Sequence, residues 1–325
     1  MPIEGSAKIM NITVILCTYN RCRSLAKALA SAAALQVPES IEWEVLVVDN
    51  NSRDQTSEVV KEFCTRYPGR FRYLFEPEPG KSHALNSAIR EARGTVLAFM
   101  DDDVTVDRSW LTNLTAVLQS GEWAGAGGRI LPEKDFSPPR WLSLTGPRGR
   151  YALAPLALFD LGKEPGQLAE PPFGTNMAFR REIFEKHGCF RTDLGPRPGS
   201  EIRSEDTEFG ARLLGKGERI RYQPSAVVYH NVSAERVRKK YYLHWWFAKG
   251  RADIRQFGIP RDAWCVLGVP LYLFRRVAVW TLRWMVNLNQ ARRFHSKLAV
   301  WANAGEIVEC YRQSPAELKA CNDQN

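Results

Sequence analysis

Apolar positions in the first hundred residues fall into short unbroken runs. Longer segments separate them, with apolar residues returning every three or four positions. Ile12 to Cys17, Trp43 to Val48, Phe71 to Phe75 and Thr95 to Met100 are the runs. Their length and β-branched content predict strands buried on both faces. Arg23 to Leu35, a segment opening at Ser52 and running to Tyr67, and Ser82 to Ala92 carry the helical spacing. Ser52 with Gln55 three residues on predicts a capping box for the second helix, and Gly94 predicts a stop for the third. Strand and helix in strict alternation predict an α/β fold with a doubly wound, mostly parallel sheet.

Beyond Thr95–Met100 the pattern loosens. Pro132 to Pro172 is rich in Pro and Gly, holds Trp141 and Tyr151, and predicts a lid or binding loop. A helix follows from about Arg180 to Lys186. Another, with Ser204 as its N-cap, ends near Gly215. Ala226 to Tyr229 predicts a strand that ends at His230. No internal repeat is visible.

Charge divides the chain. Of 45 basic and 36 acidic residues, 29 of each lie before Asn231, and the last 95 residues hold 16 basic and 7 acidic. The whole excess of +9 and six of ten tryptophans belong to this tail. The predicted organisation is therefore a neutral domain, 1–230, followed by a basic, Trp-rich helical region, 231–325. Basic and aromatic residues together suit an anionic surface, lipid headgroup or nucleic acid, or else a solvated helical bundle with a tryptophan core. Seven scattered cysteines without a Cys-x-x-Cys pair argue against a zinc module or disulfide framework and for a reducing compartment. There is no stretch of eighteen apolar residues to span a bilayer. The N-terminus, with Glu4 and Lys8, does not read as a leader.

Three predicted strands end in polar clusters: Thr18-Tyr19-Asn20, Asp49-Asn50-Asn51 and Asp101-Asp102-Asp103. Open α/β sheets bind ligands at that edge. Three adjacent carboxylates repel one another unless a cation sits among them. In an extended chain Asp101 and Asp103 share a side, as two hard ligands for Mg²⁺ or Mn²⁺ would. The alternative is a solvated acidic turn. Glu205-Asp206 reads as helix capping or as a general base. His230 reads as a structural histidine or a ligand. Gly80-Lys81-Ser82 is not a phosphate loop, because Phe75 stands where that motif needs glycine. Lys81 can still meet a phosphate at a helix start.

Taken in order, these pieces resemble the family 2 glycosyltransferases, inverting enzymes of GT-A fold. Thr18-Tyr19-Asn20-Arg21, Val47 to Ser52, Gly80-Lys81 with Asn86, and Phe99 to Asp103 match in sequence order. Gly174-Thr175-Asn176, Glu205-Asp206 and Tyr229-His230 complete the set. The resemblance covers about Ile9 to His230. It implies a metal-dependent transfer of a sugar from a nucleoside-diphosphate donor, a UDP-sugar by preference, to a glycan or lipid-linked hydroxyl in cell-surface glycan or glycolipid synthesis. By that resemblance Asp49 accepts from the nucleotide base, and Thr18, Tyr19 and Asn20 line its pocket. Lys81 approaches the diphosphate, and Asp101 and Asp102 lie on the donor side. Asp101, Asp103 and His230 surround a Mg²⁺ or Mn²⁺ ion, and Asp206 is the base. The rival readings are a nucleotidyltransferase that makes sugar nucleotides, a nucleic-acid-binding protein that uses the basic tail, and a degenerate transferase that only binds nucleotide. The first would carry a Gly-rich first loop, which Thr18-Tyr19-Asn20-Arg21 is not; the second leaves the neutral domain and its acidic strand ends unexplained; Asp101, Asp103 and Asp206 argue against the third, so no nucleic acid partner is expected.

In the tail, Ala263 to Phe274 is uncharged and a helix can begin at Pro270. On a helical wheel Arg275, Arg276 and Arg283 share a face, with Leu273, Trp280 and Trp284 beside it. That arrangement predicts peripheral attachment to an anionic membrane surface on the cytoplasmic side, the alternative being a core helix with solvated arginines.

Overall fold

The structure is a computed structural model that describes residues 10–142, 144, 149–200, 202–260 and 262–313. The N-terminal residues that do not read as a leader, including Glu4 and Lys8, lie outside it. So do part of Pro132–Pro172 (143 and 145–148) and the side chain of Tyr151. Two compact units are present. The first contains residues up to Pro132, Phe159–Phe190 and Asp206–Asn231, and the second Glu133–Leu158, Arg191–Glu205 and residues from Val232 on.

The first unit begins as the apolar runs predict. It alternates β1 (Met10–Thr18), α1 (Cys22–Ala33), β2 (Ile41–Asp49), α2 (Thr56–Arg66), β3 (Phe71–Phe75), α3 (Lys81–Glu91) and β4 (Val96–Asp101). There follow β5 (Val104–Val106), α4 (Trp110–Thr115), β6 (Gly125–Pro132), α5 (Gly149–Leu153, in the second unit), β7 (Gly166–Gln167), β8 (Met177–Arg180), α6 (Arg181–His187), α7 (Glu205–Gly215) and β9 (Ile220–His230). The sheet order is β3-β2-β1-β4-β8-β6-β9-β5, with β7 on β9. The first four strands are parallel, β8 is antiparallel to β4 and β6, and β6 and β9 are parallel. Strand succession reverses between β1 and β4, which makes a switch point with its crevice beyond Thr18 and Asp101.

Local details differ from the sequence reading. Helix α2 has no capping box: Ser52 Oγ accepts from the Asn20 amide, and Asp54 takes the Thr56 amide and hydroxyl instead. Gly94 does not end α3 through a left-handed turn. The helix stops at Ala92, and Gly94 is needed because a Cβ there would lie 2.4 Å from the Thr13 nitrogen of β1. The Asp triplet is not extended. Asp101 closes β4, and Asp102 and Asp103 form a turn into β5, so side-chain alternation does not apply to them. Five phenylalanines fill the core under β4 and β8, with Phe184 stacked on Phe209 at 4.7 Å and Phe179 edge-on to it at 5.2 Å.

The second unit is built on α8 (Lys239–Phe257), the hairpin β10 (Cys265–Val266) and β11 (Val269–Pro270), α9 (Leu271–Val286) and α10 (Gln290–Arg312). Helices α8 and α10 cross backbone to backbone. A Cβ on Gly250 would fall 1.9 Å from the Ala302 carbonyl oxygen, and one on Gly305 2.0 Å from that of Phe247. The fully buried Glu309 accepts from both Arg251 (2.7 Å) and Arg255 across this crossing. Leu273 is buried with Ile254, Val269 and Cys310. Trp284 packs edge-on to Trp301, and Trp280 to His295. The tryptophans of α9 therefore face α10, which corrects the expectation that they flank an outward basic face. Among the described residues no helix is long and apolar enough to cross a membrane.

Burial pushes Glu306 up to about 7, against the pull of Arg276, with Asp253 adding to the rise and Lys249 opposing it. The folded protein therefore keeps a proton that the unfolded chain releases between about pH 4.5 and 7. The contribution of Glu306 to stability is greatest below that window and falls as pH rises through it. Glu306→Gln should leave the urea midpoint nearly unchanged at pH 4.5 and stabilise by on the order of 1–3 kcal/mol at pH 8.

Candidate active site

The site grows from the carboxyl ends of β1, β2 and β4. Cys17 pairs with Asp101 and Thr18 with Asp49, so the three polar clusters share one sheet edge. Asp101 accepts from Lys81 Nζ at 2.7 Å and from the Thr175 hydroxyl at 2.6 Å. Asp102 turns inward and is buried. It accepts from Thr18 Oγ1 at 2.8 Å and from Arg21 Nη1 at 3.0 Å, and the same guanidinium nitrogen donates to Asp103 Oδ2 at 3.0 Å. Two cations thus stand among three carboxylates.

The electrostatics follow from this crowding. Burial works against the Asp101 charge, but Lys81 and the Thr175 hydroxyl outweigh it and hold the group below the usual carboxylate range. Burial pushes Asp102 up to about 6 despite Arg21, with Asp103 and Asp101 adding to the rise and the Thr18 hydroxyl opposing it. Arg21 is held firmly charged, chiefly by Asp102, against the cost of burial.

Pairing of β5 with β9 brings Asp103 to His230. Val104 lies opposite His230, and the Asn231 amide donates to the Asp103 carbonyl. The imidazole Nε2 and Asp103 Oδ2 are 3.5 Å apart, and His230 is buried. That pair can share a cation with ligand distances of about 2.1 Å, an oxygen and an imidazole nitrogen being acceptable to Mg²⁺ or Mn²⁺. Among the described residues no group of three His, Cys, Asp or Glu converges as a metal cluster. An ion held by these two side chains would take its remaining ligands from phosphate and water.

Asp206, in the first turn of α7, accepts from the Gly174 amide at 2.6 Å and the Thr207 amide at 2.7 Å. Gly174 and Thr175 are adjacent, so one dipeptide holds Asp206 with its amide and Asp101 with its hydroxyl. The next residue fixes that dipeptide. Asn176 is fully buried, accepts from Trp110 Nε1 at 2.8 Å, and donates to the carbonyls of Arg129 and Ala226.

On the opposite flank Asp49 is buried and accepts from Tyr73 Oη and from the Ser52 amide, both at 2.9 Å. A carboxylate has lone pairs to spare for further donors. Burial first, and then Asp49, push Tyr73 up to about 12. Asn20 adopts a left-handed backbone and Tyr19 is exposed. Asn50 accepts from the Gly80 amide and donates to the carbonyls of Glu76 and Glu78, which fastens the loop that presents Lys81. Gly80 there has φ 140°, a conformation that favours glycine.

The structure thus gathers Thr18, Lys81, Asp101, Asp102, Asp103, Asp206 and His230 through direct or one-residue links, with Asp49 at the next strand end. Arg21, Thr175, Asn176 and Tyr73 are added to them. Arg21 and the Gly-Thr-Asn triplet carried a signal only as motif members, since nothing in linear spacing pairs them with residues 32 to 82 positions away.

Residues 13–188, more than half the chain, match the family described as glycosyl transferase family 2. The chain belongs to that family. It is a glycosyltransferase. It is 28% identical over 243 residues to the succinoglycan biosynthesis protein ExoM of Rhizobium meliloti, covering 74% of this chain and 72% of that one. It is 24% identical over 222 residues to glycosyltransferase AglE of Haloferax volcanii, covering 67% and 66%. The fold resembles mannosyltransferase PcManGT from Pyrobaculum calidifontis, solved with GDP-Man and Mn²⁺. The TM-score is 0.64 at 20% identity, over 93% of this chain and 88% of that one. The architecture of this glycosyltransferase is accordingly of the GT-A type.

Arg21→Gln should expose the mutual repulsion of Asp102 and Asp103. Its guanidinium is half exposed, so the loss is about 1–3 kcal/mol rather than the larger value of a fully buried pair. The unfolding midpoint at pH 8 should fall, and the deficit should shrink at pH 5, where Asp102 takes up its proton.

Proposed function

We propose that this glycosyltransferase moves a sugar from a nucleoside-diphosphate donor to an acceptor hydroxyl by a single inverting displacement, with a divalent Mg²⁺ or Mn²⁺ ion at Asp103 and His230. The ion is not at Asp101, the third ligand expected from the sequence, whose two oxygens are taken by Lys81 and Thr175. The observation that carries the reading is the Gly174–Thr175 link. It sets a carboxylate suited to deprotonate a hydroxyl beside the cation-bearing strand end suited to a diphosphate. The family match and a solved neighbour with GDP-Man and Mn²⁺ support it.

Asp49 accepts from the nucleotide base, and Thr18, Tyr19 and Asn20 line that pocket. Lys81, aimed by Asp101, meets the negative charge that grows on the leaving diphosphate. Asp102 holds Arg21 and Thr18 in place and so keeps the strand-end turn in shape. The bound ion would supply further neutralisation of that charge. Asp206 Oδ2, fixed by the Gly174 amide, takes the proton of the incoming hydroxyl on the face opposite the leaving group. No enzyme nucleophile is needed.

The acceptor is a glycan or a lipid-linked saccharide, in keeping with a relative named for succinoglycan biosynthesis. The donor is a UDP-sugar or another nucleoside-diphosphate sugar. The six described cysteines are free thiols, which supports a reducing, cytoplasmic location.

Two variants test the assignments, with a panel of nucleotide sugars as donors. Asp206→Asn keeps shape and hydrogen bonding but removes basicity. Donor affinity should persist while transfer drops at least about a hundredfold. Wild-type transfer would leave Asp206 as a helix cap.

Asp103→Ala should abolish the thermal stabilisation that nucleoside diphosphate plus Mn²⁺ gives the wild type, and turnover with it. Full turnover in chelator would remove the ion from the mechanism.

A further inference from the structure

The outer face of α9 is apolar and bare. At about 100° per residue, Leu271, Phe274, Val279, Leu282, Met285 and Val286 span an arc of roughly 140°. All six are exposed, Leu282 by 62% and Met285 by 71%. The face continues into the hairpin before it, where Trp264 (83%) and Leu267 (82%) stand out, and the Leu271 amide donates to the Trp264 carbonyl at 2.8 Å. At the other end Leu288 is 98% exposed. Large side chains contiguous on one face need an explanation that scattered ones do not.

The surrounding charge says what covers it. Between Asp262 and Glu306 the chain contains no acidic residue and six basic ones: Arg275, Arg276, Arg283, Arg292, Arg293 and Lys297. Of these six, Glu306 pairs with Arg276, at 3.5 Å. Arg275 lies within the apolar arc, where its long stem can lie along apolar surface while the guanidinium reaches outward; Arg283, about 40° beyond the arc, is exposed with its guanidinium 4.7 Å from the Trp280 ring centroid. A second copy of this face would set arginine against arginine with no carboxylate to compensate. A bilayer surface with anionic headgroups meets both features, phosphate for the arginines and acyl chain for the leucines and tryptophan. At 16 residues α9 is ~24 Å long and lies in the interface rather than spanning it.

We propose that the hairpin 265–270 and the outer face of α9 form an interfacial anchor that docks the second unit on an anionic membrane. Trp264, Leu267, Phe274, Leu282 and Met285 enter the headgroup boundary, and Arg275 and Arg283 pair with phosphates. The inference is independent of the catalytic assignment.

The test is co-sedimentation of the full chain with vesicles of phosphatidylcholine, with and without phosphatidylglycerol. The wild type should bind the anionic vesicles, bind the neutral ones weakly, and be released by salt. Arg275→Gln with Arg283→Gln should weaken partition by roughly ten- to thirtyfold. Leu282→Asp with Met285→Asp should abolish it, with thermal midpoint and circular dichroism unchanged because both side chains are at the surface. Equal binding to both vesicle types would overturn the proposal. So would no vesicle binding by a wild type that dimerises in sedimentation velocity and becomes monomeric with the two aspartates, which would assign the face to a second copy.

Discussion

Three carboxylates share the end of one buried strand, and the site depends on how that charge is compensated. Left alone, Asp101, Asp102 and Asp103 would repel one another and draw the turn apart. Lys81 takes the first, and a single Arg21 nitrogen takes the second and third. Each cation arrives from a different element beside β4. Arg21 enters because β1 is the parallel neighbour of β4, and Lys81 because Asn50, at the end of β2, pins the loop before α3. The compensation therefore requires the switch-point order of the strands.

The same strand end is tied to the far side of the sheet. Antiparallel β8 continues from the Gly174-Thr175-Asn176 turn, whose hydroxyl reaches Asp101 and whose amide reaches Asp206. Strand β5 starts one residue after Asp103 and pairs with the end of β9, which delivers His230. Parallel strands place the candidate nucleotide-side groups, and antiparallel pairing brings the candidate base and the candidate metal histidine to them. A one-residue change in the register of β8 or β5 would displace the turns that hold Thr175 and Asp103 from the end of β4.

The parallel half was legible because its strands are continuous apolar runs, and the candidate residues were legible because they close those runs. β6 escaped for a physical reason. Its sequence, Gly-Ala-Gly-Gly, has the look of a turn. Yet Cβ atoms on Gly125, Gly127 and Gly128 would fall within 2.2–2.4 Å of Phe179, Pro172 and the Ala226 carbonyl, so close packing demands the glycines that hide the strand. β5 and β8 are three and four residues long and leave no periodicity. Arg21 was visible only as the end of a motif. Its two partners lie 81 and 82 residues away, and only the β1–β4 register reveals them.

The second unit shows a different limit. Helical spacing placed the arginines and tryptophans of α9 correctly relative to one another, but a wheel has no inside. The α8–α10 crossing decides the orientation. With Gly250 and Gly305 allowing the backbones to touch, and Glu309 consumed by two arginines of α8, α10 is drawn onto α8 and offers Trp301 and Lys297 to α9. Trp280 and Trp284 turn toward that ledge, where Lys297 and Arg283 cover their rings. The aliphatic stripe of α9 is left facing out. Acidic residues that could neutralise the basic stretch are absent from it; on α10, Glu306 reaches Arg276 at 3.5 Å and the fully buried Glu309 is committed to the crossing, which leaves Arg275 and Arg283 without either. The exposed apolar face and the uncompensated positive charge thus have one origin, the use of α10 to hold α8.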